Sequence, residues 1–157
     1  MGSRSEIDYS YIAGFLDGDG SLMLQLKKRA DSKKGIRFMS TICFYQKTSH
    51  EKYLKWIKHI LGVGYLSQRN DGMTELRING YGSTYTILQL LVPYLRFKKV
   101  QAEVLLSSCA LLNTKKHLSE NDLKFLVSNM LEIQRQNYST RYKRSKSELY
   151  QILGLTP

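Results

Sequence analysis

The residues best suited to chemistry stand in one short stretch, IAGFLDGDGS, from Ile12 to Ser21. Asp17 and Asp19 are spaced by two, with Gly18 between them and Gly20 after. Carboxylate and backbone carbonyl oxygens are the donors that Mg²⁺ prefers. An ion held there activates water and stabilises a leaving oxygen in phosphodiester hydrolysis. Two plainer readings compete. An EF-hand loop fails, because Leu22 stands where the loop needs glycine and Lys28 where it needs a bidentate glutamate. A simple turn remains open, since Asp and Gly commonly cap and solvate the end of a helix.

The chain around these acids is basic. Of 157 residues, 24 are Lys or Arg and 13 are Asp or Glu, a net charge of +11. That excess favours a polyanionic partner, nucleic acid or an anionic membrane. Beside a phosphate-binding surface, Asp17 and Asp19 would repel the ligand unless a cation lay between. Hydrophobic residues make up 42% and charged residues 24%, as in a soluble globular domain, and the length suits one domain. No apolar run reaches the roughly 18 residues of a membrane span. Cys43 and Cys109 form no CxxC pair, and His50, His59 and His117 are scattered. A zinc site is therefore not expected, and the thiols read as free in a reducing compartment. The first ten residues lack the apolar core of a signal peptide, and residues 1–4 read as an expression scar.

The acids must be positioned by the elements on either side. A helix is expected over Glu6–Leu16, capped by Ser5. Its apolar stripe is Ile7, Tyr11 and Phe15, with Ile12 and Leu16 alongside. In SLMLQLKKR, Leu22, Leu24 and Leu26 alternate with Ser21, Met23, Gln25 and Lys27, which predicts a half-buried strand. IRFMSTICFYQ is a second strand, with Ile36, Phe38, Ile42 and Phe44 on one face. Thr48 and Glu51 form a capping-box pattern before a helix that buries Leu54, Ile57 and Leu61. YLSQRNDGMTELRI predicts a hairpin turning at Asn70-Asp71-Gly72. Helices follow over about Ser83–Leu91, Lys98–Leu112 and Ser119–Gln136. Residues from about 137 to 157 read as a basic loop and a short helix opened by Ser145 and Glu148. The fold class is α+β: a mixed, mostly antiparallel four-stranded sheet in an αββαββα order, with helices on one face.

The opposite face then collects Arg, Lys, Gln, Ser, Thr and Tyr. Lys27, Lys28, Arg29, Lys33, Lys34, Arg37 and Lys47 stand against one acid, Asp31. Such a surface suits phosphates and base edges, and a twisted antiparallel ribbon fits the DNA major groove. A second basic run, RQNYSTRYKRSK from Arg135 to Lys146, suits backbone phosphates. It lacks the apolar face of a membrane-surface helix.

Here the residues become recognisable. IAGFLDGDG, Ile12 to Gly20, resembles the nine-residue signature of the LAGLIDADG homing endonucleases and matches it outright at Ala13, Gly14, Asp17, Asp19 and Gly20. FYQKT (Phe44–Thr48), GVGY (Gly62–Tyr65) and VPYLRFKKVQA (Val92–Ala102) resemble further segments of the single-motif homodimeric branch, in the same order.

The resemblance implies a homodimer that cleaves long, near-palindromic double-stranded DNA sites with Mg²⁺ and leaves 3′ overhangs. Mn²⁺ is expected to substitute, and Ca²⁺ to bind without cleavage. Asp19 would be the metal ligand, one from each subunit, with the Gly18 carbonyl beside it. Asp17 would cap the partner's helix. Gln46 would position catalytic water, and Lys98 would supply positive charge at the cleavage centre. His50 stands where the family commonly has an Arg, so a catalytic role for it implies pH-sensitive activity. The dimer contact would comprise Tyr11, Ile12, Ala13, Gly14, Phe15 and Asp17.

The sheet would read DNA as a saddle. Strand parity and the family's use of such positions give Ser21, Met23, Gln25, Lys27, Arg29, Arg37, Met39, Thr41, Cys43, Tyr45, Tyr65, Ser67, Arg69, Glu75 and Arg77 as contacts. Ser139, Thr140, Arg141 and Lys143 join them from the second basic run. No membrane and no small-molecule substrate are expected. The protein is expected inside the cell, in a chloroplast or mitochondrion or in a prokaryotic cytoplasm, and encoded within an intron. The rival reading is a binding protein that does not cut: an RNA maturase or a DNA-binding regulator of the same fold.

Overall fold

The computed structural model describes residues 4–31, 35–137 and 142–157. Helix α1 spans Arg4–Asp19 and passes directly into strand β1, Gly20–Lys28. Strand β2 spans Ile36–Lys47. A 3₁₀ turn, Thr48–His50, leads into α2, Glu51–Leu61. Strands β3, Tyr65–Gln68, and β4, Met73–Asn79, form the hairpin. Its turn needs Gly72, whose φ of +79° lies in the left-handed region. Helices α3 (Tyr81–Leu91), α4 (Lys99–Thr114), α5 (Glu120–Gln136) and α6 (Lys146–Leu153) complete the order.

The strands lie in the order β1-β2-β4-β3, and every pairing is antiparallel, in keeping with the mostly antiparallel sheet expected. The register fixes the parity. Ser21, Met23, Gln25 and Lys27 lie opposite Cys43, Thr41, Met39 and Arg37, and Cys43 and Tyr45 lie opposite Arg77 and Glu75. Tyr65 and Ser67 face Arg77 and Glu75 from β3. All of them therefore share one face. Leu22, Leu24, Leu26, Phe38, Ile42, Phe44, Leu76 and Ile78 point the other way into the core, where the buried residues of the helices meet them.

Ile12 and Ala13, expected in the dimer contact, turn inward instead. Ile12, Ala13 and Leu16 are fully buried in the chain's own core, whereas Ile7 and Tyr11 are 64% and 65% exposed. The helix is apolar on both sides, so the stripe at i, i+4, i+8 identified a face but not the inward one. It also starts at Arg4, which places Ser5 inside the first turn instead of at the cap.

The capping box expected at Thr48 and Glu51 does not form. No side chain caps the 3₁₀ turn or α2. The Thr74 hydroxyl donates to Thr48 Oγ1, and Glu51 accepts from Lys55 and Gln68. Ser119 and Asp122 form a complete capping box at α5. Ser145 caps α6 by accepting from the Glu148 N–H, half of the capping box expected there, while the Glu148 carboxylate accepts from Tyr142.

Candidate nucleic-acid interface and acidic cleft

Helix α1 delivers its last residues to the edge of the polar sheet face. Asp17, Gly18, Asp19, Gly20 and Ser21 line a cleft of about 660 Å³ with Tyr45, Lys98 and Gln101. Gly20 makes the helix-to-strand turn so tight that a Cβ there would lie 2.9 Å from the Cys43 carbonyl oxygen.

The two acids differ. Asp17 is 8% exposed, and its carboxylate accepts from the backbone N–H groups of Arg96 (2.7 Å) and Lys98 (2.9 Å). Both oxygens are thus engaged within the same chain, holding the segment before α4. This corrects the expectation that Asp17 caps a partner's helix. Asp19 is exposed. Lys98 Nζ donates to the Asp17 carbonyl. Burial lowers the Lys98 pKa, while the nearby Asp17 and Asp19 charges oppose that shift.

Asp19 and Gly18 offer oxygen donors only, the chemistry that suits Mg²⁺. Among the described residues no group of three His, Cys, Asp or Glu gathers to hold a metal. So few donors suit an ion that keeps waters and takes substrate phosphates as further ligands. Gln46 and His50 face a second recess next to Tyr45. They line an apolar recess of about 490 Å³ with Ile7, Asp8, Tyr11, Phe15, Tyr53, Trp56 and Ile57. Gln46 Oε1 accepts from the Lys47 N–H, and the His50 ring meets Tyr53 edge-on.

On the sheet, Glu75 organises the cations. Its two oxygens hold Arg69 (3.1 Å) and Arg77 (2.8 Å), while Arg69 also pairs with Asp71. Arg29 pairs with Asp31 beyond the end of β1. Thr41 and Cys43 lie on the expected face but are fully buried there, Thr41 bonded to Asn79. Burial pushes the Cys43 thiol up to about 11 and the Tyr45 phenol up to about 12. Ser21 and Tyr45 share a 2.8 Å hydrogen bond across β1 and β2. Met23, Gln25 and Met39 are half-buried, Lys27 and Arg37 exposed. Lys143 is exposed, while Ser139, Thr140 and Arg141 lie outside the described residues.

Sequence reading missed Asn79, two residues beyond Arg77, which faces Thr41 and donates to Tyr65 Oη. Extending the same parity by one step finds it. It also missed Gln101, Gln136 and Asn137 in the acidic cleft, three amides inside segments that stood out for their cations and their family resemblance instead.

The sequence profile of the LAGLIDADG endonuclease family matches residues 12–107. The chain belongs to the LAGLIDADG endonuclease family. Its signature is the end of α1, the acidic cleft and the start of β1. The chain is 35% identical over 103 residues to the DNA endonuclease I-CvuI of Chlorella vulgaris, covering 66% of this chain and 64% of that one. It is 31% identical over 96 residues to the DNA endonuclease I-CreI of Chlamydomonas reinhardtii, covering 61% and 58%. These matches span less than two thirds of either relative. The fold is similar over nearly all of both chains to the crystal structure of I-CvuI in complex with its target in the presence of 2 mM Ca, with a TM-score of 0.85 and 26% identity. The LAGLIDADG fold thus extends past the matched segment through α5 and α6.

Proposed function

We propose that the chain is a site-specific, divalent-metal-dependent DNA endonuclease that works as a homodimer on a long, near-palindromic site. The observation that carries this reading is the junction of α1 and β1. There an exposed carboxylate opens beside a sheet face whose exposed cations can take DNA.

Asp19 and the Gly18 carbonyl would hold Mg²⁺. When bound, the ion supplies activation of water and stabilisation of the leaving oxygen. The chain's own residues do the rest. Asp17 fixes the backbone that carries Lys98. The Lys98 ammonium, beside both aspartates, offsets their charge where phosphate must approach. Gln46, next to the cleft-lining Tyr45, would orient water through its amide. Two-fold symmetry would supply the second Asp19 and place one cut on each strand; the family resemblance adds that the ends are 3′ overhangs.

The outward face of α1 supports the dimer. Gly14 and Gly18 are spaced for one helix face, and a Cβ at either would meet nothing within 4 Å. Asp8, Tyr11 and Phe15 border the apolar recess on one flank, while Asp17 anchors the segment bearing Phe97, 84% exposed, on the other. A two-fold contact brings one copy's first flank against the other's second. That arrangement pairs an exposed aromatic with an apolar recess twice over.

Selection of cut sites from a partly randomised duplex library in Mg²⁺ tests the reading. Recovery of one near-palindromic site supports it. Absence of cut DNA, with tight binding to a structured intron RNA, would instead favour the maturase.

A further inference from the structure

Beyond the sheet, α5 ends in two side-chain amides that grip other backbone. Asn137 Nδ2 donates to the Leu22 carbonyl of β1 (3.3 Å). The Gln134 amide bonds Arg144 twice: its Nε2 donates to the Arg144 carbonyl (3.1 Å), and its Oε1 accepts from the Arg144 N–H (3.0 Å). This pair copies the exchange between two strands, so it fixes the orientation of the chain at Arg144 as well as its distance. Two further interactions tie the same segment to α6. Tyr142 Oη donates to Glu148 (3.0 Å), and the Arg144 guanidinium lies 3.8 Å from it.

The clamp sets where positive charge goes. Tyr142 and Arg144 line one recess with Met23, Gln25 and Lys27 of β1 and with Gln134. The free edge of the sheet is therefore flanked by Lys27 and by the chain carrying Lys143. Both lysines are exposed, and neither has an acidic partner among the salt bridges of the described residues. A lysine on a loose segment would lose much of its attraction to phosphate as conformational entropy, and the two amide bonds remove that loss beforehand.

We infer that Gln134 is a positioning residue for DNA binding: its amide holds Lys143 and Arg144 beside Lys27, where they meet the phosphates flanking the bases read by the sheet. The inference rests on the DNA-binding reading proposed above.

Binding of a mixed-sequence DNA duplex to the full chain, followed by fluorescence anisotropy in Ca²⁺ across a salt series, tests it. Gln134→Met keeps the length of the side chain and removes both bonds. It is expected to weaken binding about five- to twenty-fold and to flatten the slope of log K against log[salt] by about one to two, roughly one for each phosphate no longer neutralised. Lys143→Ala should cost several-fold in the wild type and little in the Gln134→Met background. A folded Gln134→Met protein with the wild-type slope overturns the inference, as does an equal Lys143→Ala effect in both backgrounds. A lowered melting temperature with an unchanged slope gives Gln134 a merely structural role and also overturns it. Should Gln134→Met fail to fold, Gln134→Glu, which keeps the acceptor and removes the donor, is expected to show an intermediate slope, and a wild-type slope there counts against the clamp. If the wild-type chain itself binds without salt dependence, the DNA-binding reading is what fails.

Discussion

Lys98 is bound to Asp17 at two points: its backbone N–H donates to Oδ1 at 2.9 Å, and its ammonium donates to the Asp17 carbonyl. One aspartate of the signature therefore holds the lysine that neutralises the other. Asp17→Asn leaves a backbone N–H facing an amide donor. Folding stability should fall by about 1–3 kcal/mol, read by urea unfolding. DNA cleavage should fall with it, because Lys98 loses its mooring. An unchanged unfolding midpoint would separate the carboxylate from the fold.

Gly20 sits where helix and strand touch. A Cβ there would meet the Cys43 carbonyl oxygen at 2.9 Å, and a backbone atom cannot swing aside. Gly20→Ala is expected to cost about 1–3 kcal/mol by overpacking, measurable as a lowered melting temperature.

Gly14 predicts the opposite. A side chain there meets nothing within the chain, and leucine favours a helix over glycine. Gly14→Leu should keep the circular dichroism of the wild type, yet sediment with the mass of one chain. A dimeric Gly14→Leu protein would contradict the proposed α1 contact.

Glu75 sets the cations of the reading face. Replacing it with Gln releases Arg69 and Arg77 from a shared carboxylate and removes a negative charge facing DNA. Binding to non-specific duplex should tighten. Discrimination at the base pairs that Arg77 is proposed to read should fall by about 1–3 kcal/mol, the scale of one bidentate base contact. Site selection with the variant checks both.

Cys43 and Cys109 are buried, which pushes each thiol up to about 11. Below that pH both remain protonated, and the thiolate is the reactive form. At pH 8 the folded chain should resist thiol reagents at both positions and react at both once unfolded. Rapid labelling of the folded chain would contradict the buried packing of β2 at Cys43 or of α4 at Cys109.

The sheet was legible because its period of two is coupled to burial. Leu22, Leu24 and Leu26 face the core, so Ser21, Met23, Gln25 and Lys27 must face away. The signature helix was less legible for the converse reason. Ile7, Tyr11 and Phe15 are as apolar as Ile12 and Leu16, and periodicity does not say which stripe is inward. Asp17's partners were hidden by distance, since Arg96 lies 79 residues on. Thr41 and Cys43 had the expected parity, but their burial under neighbouring side chains depends on packing that parity does not encode. Gln134 carries no motif, because two hydrogen bonds from a half-buried amide leave no periodic trace.

The claim that Asp19 carries the chemistry rests on its being the exposed carboxylate of the pair. Comparing Asp19→Asn with the wild type on a selected duplex tests it most directly, with affinity measured in Ca²⁺ and single-turnover cleavage in Mg²⁺. Affinity should stay within a few-fold of wild type, with no detectable cut product. Wild-type-like cleavage by Asp19→Asn would contradict it.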